Sequence, residues 1–306
     1  MNILEITNSY IRERALSDAA AIHYGYVAEL FVRDAGVQDV REITREALLN
    51  WREETLSRDV SSSTWNNYFR HLRVLLRFAA DHEPVPALSG NLSALLLREH
   101  VERPKTISRS DLKKAMSYIS SRRSAIRPRW FWAILLRTLY YTGMRRRQLI
   151  DLMWSDIDLK KAKIQLRATS SKNRHGWEIP IVALLLPSLF QLRERTLKEL
   201  GEDADIGSLY VFDISLFTEQ YRSCRNGKMN ARSISNFFSR LRFATGVSIS
   251  AHRLRHTMAT ELAQLGLYKE LQSLLGHTDM KMTMRYVHPE LENLRLMAEH
   301  LESIDD

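Results

Sequence analysis

Apolar residues recur at helical spacing through most of the chain, and this periodicity constrains its fold more than any other feature. In the first hundred residues it predicts helices over 17–36, after Thr44, over 62–81 and over 92–98. The first should bury Ile22, Tyr26, Leu30 and Phe31, the second Leu48, Leu49 and Trp51, and the third Trp65, Phe69, Leu72, Leu76 and Phe78. This part of the chain is therefore predicted to be a small all-helical domain.

The periodicity changes once, in the middle of the chain. Residues 157–166 and 177–182 alternate apolar and polar side chains around the turn-prone stretch 170–176, which predicts a β-hairpin. Helices are predicted over 110–122, 129–142, 147–152, 184–200 and 230–245, and from His252 through most of the remainder. The expected fold is mostly α with a small β-hairpin or sheet. It divides into a helical domain and linker over 1–103 and a mixed α/β domain over 104–306.

The charge of the 306-residue chain is unevenly distributed. Its net charge is +9, from 45 Lys and Arg against 36 Asp and Glu. Residues 1–103 carry 12 Arg, no Lys and 15 acids; residues 104–288 carry 32 basic residues and 15 acids; the tail from 289 carries one Arg and six acids. The middle segment, at +17, therefore generates a positive field suited to a polyanionic partner.

Two further features narrow the class of protein. The single cysteine, Cys224, excludes an internal disulfide framework and a cysteine-based zinc site, and it fits a reducing compartment. No stretch of the sequence approaches the roughly 20 apolar residues that a membrane helix needs. We therefore expect a cytoplasmic protein without a membrane partner.

The residues with the most chemical information lie in three motifs and one hairpin. The motifs are YTGMRRRQLIDLMWSDID at 141–158, AHRLRHTMAT at 251–260 and LLGHTDMKMTMRY at 274–286. Lys172 lies in the turn of the predicted hairpin, and is chosen over Lys160, Lys161 and Lys163 because it sits near the tip. Each residue alone is a weak signal. Together, in this order and with a nine-residue step from His277 to Tyr286, the set resembles the tyrosine recombinases, or phage integrase family.

The resemblance implies a chemistry that these residue types can perform without a metal ion or ATP. Tyr286 would attack a DNA phosphorus to form a 3′-phosphotyrosyl intermediate, which preserves the bond energy for rejoining. Arg145 and Arg255 would bind the non-bridging oxygens, because a guanidinium offers paired donors to phosphate. His252 would accept a proton or act as a second phosphate clamp, His277 would hydrogen-bond a non-bridging oxygen, and Lys172 would protonate the leaving 5′-oxygen.

The chain departs from the family pattern at one position. Three residues after the first catalytic arginine the family usually has Glu or Asp, and this chain has Gln148. An amide can hydrogen-bond but cannot compensate charge. Gln148 therefore keeps one alternative to site-specific recombination open, a recombinase-derived regulator that binds DNA without cutting it. A second alternative is a DNA-relaxing activity like that of type IB topoisomerases, which shares the chemistry.

Double-stranded DNA is the predicted partner. The candidates for base readout lie on helix 62–81, and the candidates for backbone contact lie in the basic middle segment; in order they are Asn66, Asn67, Arg70, Arg73, Arg146, Arg147, Arg240 and Arg242. After Pro289, the residues Leu291, Leu294, Met297 and Leu301 predict an interaction helix over about 290–303. Relatives exchange strands within a tetramer on DNA, so a homotetramer at the nucleoid is expected.

Overall fold

The structure, a computed structural model, describes residues 1–98, 105–167, 176–221 and 227–287, together with Arg295. Lys172, Cys224, the interaction helix predicted over about 290–303 and most of the predicted linker lie outside the described residues. The chain divides into two compact units, Met1–Val101 and Glu102–Asp306.

The first unit is a helical bundle around one apolar core. Its helices are α1 (Ile3–Glu13), α2 (Asp18–Ala35), α3 (Arg45–Ser57) and α4 (Ser62–Ala79), with short 3-10 helices at Val40–Glu42, Pro86–Ser89 and Leu92–Leu95. The predicted stripe of α4 is buried throughout, and the rings of Trp51, Trp65 and Phe69 pack in series. Ser61 caps α4 by accepting a hydrogen bond from the backbone N–H of Thr64.

Helix α1 has no counterpart in the sequence-based prediction. It begins at a capping box, in which Asn2 accepts from the backbone of the first turn and Glu5 accepts from the backbone N–H of Asn2. Its side chains Ile3 and Ile6 are fully buried in the core of the unit.

The predicted inner face of α2 was wrong in part. Leu30 and Phe31 are buried as expected, but Ile22 is 73% exposed and Tyr26 is 48% exposed. Val27 and Ala28 take their places in the core. Tyr26 instead packs against Tyr68 of α4, with 5.9 Å between ring centroids.

The second unit is mixed, with most of its residues in helices. These are α5 (Arg109–Ser120), α6 (Arg129–Thr142), α7 (Arg146–Asp151), α8 (Leu186–Leu200), α9 (Ala231–Thr245), α10 (Ala251–Ala263), α11 (Tyr268–Leu275) and α12 (Met280–Met284). α6 is the central helix and is buried on most of its surface, from Phe131 to Thr142. The predicted fold class, mostly α with a small sheet, is confirmed.

The sheet has three antiparallel strands in the order β1 (Ile157–Asp158), β2 (Lys163–Leu166) and β3 (Trp177–Pro180). Ile164 pairs with Ile179, and both side chains are buried in the core. Leu166 pairs with Trp177, so β2 and β3 form the stem of the predicted hairpin.

Candidate active site

Arg255 lies at the centre of the predicted catalytic residues. It projects from α10 and is only 4% exposed. Its Nη1 donates to the carbonyl oxygen of Gly143 at 2.6 Å, and its Nη2 donates to that of Leu275 at 2.7 Å. Burial lowers the pKa of Arg255 to about 10, and the charge of Arg145 acts in the same direction. The guanidinium therefore stays charged at neutral pH and joins the ends of α6 and α11 to α10.

His277 lies immediately after α11 and supports Arg255. Its Nε2 lies 3.2 Å from Nη2 of Arg255, and its Nδ1 lies 2.9 Å from Oγ1 of Thr283. Because a guanidinium can only donate, Nε2 must accept, and the proton of the neutral ring is on Nδ1. Burial, followed by the charges of nearby arginines, lowers the pKa of His277 to about 4. Donation from Nε2 to a phosphate oxygen would thus require the other tautomer.

Tyr286 follows α12 and completes the cluster. The residue is 6% exposed, and its ring stacks on that of His277 with 6.1 Å between centroids and 9° between planes. Tyr286 also interacts electrostatically with Arg255, because it acts to raise the pKa of that guanidinium. Met258 and Leu271 belong to the small apolar core that surrounds it. The predicted nucleophile is therefore held between an aromatic ring, an apolar wall and a buried positive charge.

Arg145 is the N-cap residue of α7. Its backbone N–H donates to Oε1 of Gln148 at 2.7 Å. Its Nη1 is buried and has no hydrogen-bond partner among the described residues. Burial lowers the pKa of Arg145, while Tyr286 acts in the opposite direction. The charge of Arg145 also lowers the pKa of both His252 and His277, so it acts on the same cluster.

Gln148, where the sequence departs from the family pattern, is 1% exposed. Its amide oxygen caps the first turn of α7, which is the geometry that a carboxylate at this position would adopt in a capping box. Its Nε2 is buried without a hydrogen-bond partner in the described part of the chain. The amide therefore supplies the cap and leaves the arginine charges uncompensated.

His252 lies in the first turn of α10 and is exposed. Its Nε2 lies 2.6 Å from Nε2 of His256, one helical turn further on. Although the residue is exposed as a whole, partial burial of its ring, followed by the charges of Arg255 and Arg145, lowers the pKa of His252. The imidazole is consequently neutral at pH 7 and has one nitrogen that can accept a proton.

The stem of the hairpin packs against the loop that carries His277. Nε1 of Trp177 donates to the carbonyl oxygen of Leu274 at 3.2 Å. A Cβ atom at Gly276 would lie 2.3 Å from the Trp177 ring. Lys172, the predicted general acid, lies outside the described residues, so its role stays a prediction.

One of the candidates for base readout was wrong. Asn66 is 1% exposed, and its amide exchanges two hydrogen bonds of 2.8 Å with the backbone of Leu97. Asn67 and Arg70 are exposed on α4, whereas Arg73 is half-buried and donates to Oγ of Ser93. Asn66 therefore anchors the chain that follows α4 and does not face outward.

The four arginine candidates of the second unit are exposed. Arg146 donates to Oγ of Ser235 at 2.8 Å, and Arg147 lies 3.6 Å from a carboxylate oxygen of Asp151. Arg240 donates to the carbonyl oxygen of Ala125 at 2.9 Å. Arg242 lies on the same helix, α9, as Arg240.

The described residues contain no cluster of three or more His, Cys, Asp or Glu side chains that could hold a metal ion. Within the same residues, no helix has the length and apolar character required to cross a bilayer.

Sequence reasoning missed three residues of the site. His256 contacts both His252 and Tyr286, Thr283 accepts from His277, and Trp177 packs on Gly276. The spacing of four residues between the two histidines of α10 was a usable signal, because such residues share a helix face. The contact between Trp177 and Gly276 joins distant parts of the chain, and the six-residue step from His277 to Thr283 matches no regular helix or strand spacing.

Comparison with known proteins identifies the family to which the chain is similar. The sequence model of the phage integrase family matches residues 105–293. A Pseudomonas syringae protein with the provisional name tyrosine recombinase XerC is 29% identical over 309 residues, covering 96% of this chain. The chain spans only 63% of that protein. Tyrosine recombinase XerA of Thermococcus onnurineus is 23% identical, with 99% of this chain and 96% of the relative covered.

Solved structures share the fold. The Tn1549 transposon integrase in complex with transposon right end DNA has a TM-score of 0.72 at 18% identity, with 98% of this chain and 99% of that chain covered. A lambda integrase dimer bound to a COC′ core site has a TM-score of 0.69 at 18% identity, with coverages of 95% and 81%.

Proposed function

The chain belongs to the phage integrase family, and from this membership we propose that it cuts and rejoins DNA at specific sites through a 3′-phosphotyrosyl intermediate on Tyr286. The observation that carries the proposal is the environment of that residue. Its ring stacks on that of a neutral histidine, His277, which is itself hydrogen-bonded to the buried, charged Arg255. A structural tyrosine in an apolar core needs neither neighbour.

The reaction follows from the chemistry of these groups. The phenol oxygen of Tyr286 attacks the phosphorus, the bond to the 5′-oxygen breaks, and a phosphotyrosine forms on the 3′ side. Arg145 and Arg255 neutralise the charge of the non-bridging oxygens in the transition state. Lys172 supplies a proton to the leaving oxygen, in keeping with its place in the turn of the predicted hairpin.

His252 has two possible roles in this scheme, and they require different tautomers. As a base it takes the phenol proton on a free ring nitrogen. As a phosphate clamp it donates an N–H to a non-bridging oxygen, and the phenol proton passes to solvent. Neither role needs a metal ion. Because the phosphotyrosine preserves the energy of the broken bond, rejoining needs no ATP.

Double-stranded DNA is the proposed partner. The Tn1549 and lambda integrases of the same fold are bound to DNA, and the middle segment of this chain has a net charge of +17. Arg146, Arg147, Arg240 and Arg242 are exposed there and would contact the phosphate backbone. Asn67, Arg70 and Arg73 remain the candidates on α4. We place the action of the protein at the nucleoid, as a homotetramer on DNA.

Covalent trapping tests the proposal. The protein is incubated with a pool of nicked duplexes of randomised sequence, in which the nick releases the 5′ fragment and prevents rejoining. We expect a protein–DNA adduct on a denaturing gel, and sequencing of the trapped DNA should give a common site. The adduct should disappear in Tyr286→Phe, which keeps the ring and removes the nucleophilic oxygen.

The outcomes separate the alternatives. An adduct that persists in Tyr286→Phe refutes the assigned nucleophile. Relaxation of supercoiled plasmid without exchange between two sites would indicate a topoisomerase-like enzyme. Specific DNA binding with no adduct on any substrate would indicate the non-cleaving regulator.

A further inference from the structure

The two histidines of α10 form a direct pair beside the nucleophile. Their Nε2 atoms are 2.6 Å apart, and their ring centroids are 3.9 Å apart. His256 also lies against Tyr286, with 5.3 Å between ring centroids. His252 is exposed at the end of the helix, whereas His256 is half-buried behind it. One helix face thus carries an outer imidazole and an inner one in contact with the nucleophile's ring.

The number of protons on the two imidazole rings limits how His252 and His256 can hydrogen-bond to each other. Both pKa values are lowered, that of His256 to about 4 by burial and then by the neighbouring His252 and Arg255, so both rings are neutral at pH 7. Each ring then has one N–H. A contact of 2.6 Å between two ring nitrogens needs one proton between them, so one Nε2 donates and the other accepts.

The inner nitrogen of His256 decides which ring donates. Its Nδ1 is buried and has no hydrogen-bond partner among the described residues. A buried N–H without an acceptor is less tolerable than a buried lone pair without a donor. The proton of His256 is therefore favoured on Nε2, from which it is donated to Nε2 of His252. This leaves the proton of His252, the exposed member of the pair, on Nδ1.

We propose that His256 is a positioning residue that holds His252 as the Nδ1–H tautomer, so that His252 acts as a phosphate clamp and not as the base. The outer imidazole then presents a fixed N–H donor beside Arg255 and Arg145, where the proposed function puts the non-bridging oxygens. This inference rests on the proposed function for its catalytic consequence. The tautomer itself can be measured without DNA.

The first measurement is the tautomer. Nitrogen-15 correlation spectra of the labelled full chain at pH 7 report which nitrogen of each histidine carries the proton, and the signals are assigned from His252→Gln and His256→Phe. We expect Nδ1–H for His252 and Nε2–H for His256. An Nε2–H tautomer or an imidazolium at His252 would overturn the proposal. The tautomers are read from the wild-type chain, and the two variants serve only to assign its signals.

The second measurement is cleavage. His256→Phe keeps a ring against Tyr286 and removes the hydrogen bond, so it should slow adduct formation by at least about tenfold with DNA affinity unchanged. His256→Gln, which retains an N–H near the position of Nε2, should recover most of the rate. His82→Phe makes the same exchange in the first unit, outside the site, and should cleave like wild type.

These outcomes separate this inference from the proposed function. A His256→Phe variant that cleaves at the wild-type rate, or a His256→Gln variant that is slowed equally, would show that His256 serves packing alone. If the wild-type chain forms no adduct, the proposed function fails, while the nitrogen-15 spectra still decide whether His256 fixes the tautomer of His252.

Discussion

Two adjacent asparagines on α4 show how finely position on a helix separates structural from binding residues. Asn66 is buried and bonded to the backbone of Leu97, while Asn67 is exposed and donates its side-chain amide to Nε2 of His23 at 3.0 Å. Adjacent positions on the helix thus separate an anchoring asparagine from a candidate for adenine readout, because the amide edge of an exposed asparagine can bind N6 and N7 of that base.

Alanine at each position should separate the two roles. Asn66→Ala leaves the backbone N–H and C=O of Leu97 without their partners, so it should lower the free energy of unfolding by about 1–3 kcal/mol. Asn67→Ala should leave stability within about 0.5 kcal/mol, as expected of a surface change, and should alter base preference at one position of the selected site. Urea unfolding gives the first quantity and sequencing of trapped DNA gives the second. The opposite pattern, in which Asn67→Ala lowers stability and leaves base preference unchanged, would exclude Asn67 as a base-reading residue.

The catalytic residues were easier to predict than their neighbours for a physical reason. Arg145, Arg255, His277 and Tyr286 are named by motifs in which order and spacing repeat a family pattern. The structure brings these four into one cluster. The burial of Asn66 depends on the chain after α4 crossing back over it, and a contact across 31 residues has no local signature.

At the scale of elements, the loop after α11 depends on one glycine. Gly276 ends the helix at a φ of 61°, and a Cβ atom there would lie 2.3 Å from the ring of Trp177. The Trp177 ring donates a hydrogen bond from its Nε1 to the carbonyl oxygen of Leu274, so it cannot move away from Gly276 without losing that hydrogen bond. The position of His277 is therefore set by a left-handed backbone residue and by the hairpin stem together.

A pair of glycine substitutions isolates the contribution of the hairpin stem. Gly246 ends α9 at a φ of 70° with open space around it, so Gly246→Ala measures backbone strain alone, about 1 kcal/mol. Gly276→Ala adds the clash with Trp177 and should destabilise by about 2–4 kcal/mol in thermal or urea unfolding. It should also slow adduct formation, because the displaced loop carries His277. Equal losses of stability in the two variants would mean that the Trp177 ring can move aside without an energetic cost.

The ends of helices were predictable where the sequence has a strong helix-ending or helix-capping residue. The predicted helix 129–142 matches α6 residue for residue, because the glycine after it adopts the left-handed conformation that ends a helix. α1 was missed, although Asn2 and Glu5 form a capping box at its start. The orientation of α2 failed because its apolar residues extend around the helix, and only packing on α1, α3 and α4 selects Val27 and Ala28 over Ile22 and Tyr26.

At the scale of the whole molecule, charge and apolar spacing point to different roles for the middle and the end of the chain. The middle segment has a net charge of +17, and the tail from 289 carries six acids and one arginine. An acidic tail does not suit a DNA surface. Its apolar residues recur at helical spacing, which is typical of a helix that packs on protein, either on its own chain or on a neighbouring subunit.

Deletion of residues 290–306 separates these two packings. The shortened chain is more basic, so it should bind a single DNA site at least as tightly as the full chain at low salt. If the tail connects subunits, the shortened chain should sediment on DNA as a monomer where the full chain forms a tetramer. The matched control replaces Glu290, Glu292 and Glu299 by Gln; it keeps Leu291, Leu294, Met297 and Leu301, so it should still assemble. A shortened chain that forms the same tetramer would show that the tail packs on its own subunit, because loss of an intramolecular helix changes stability and leaves the interface between copies intact.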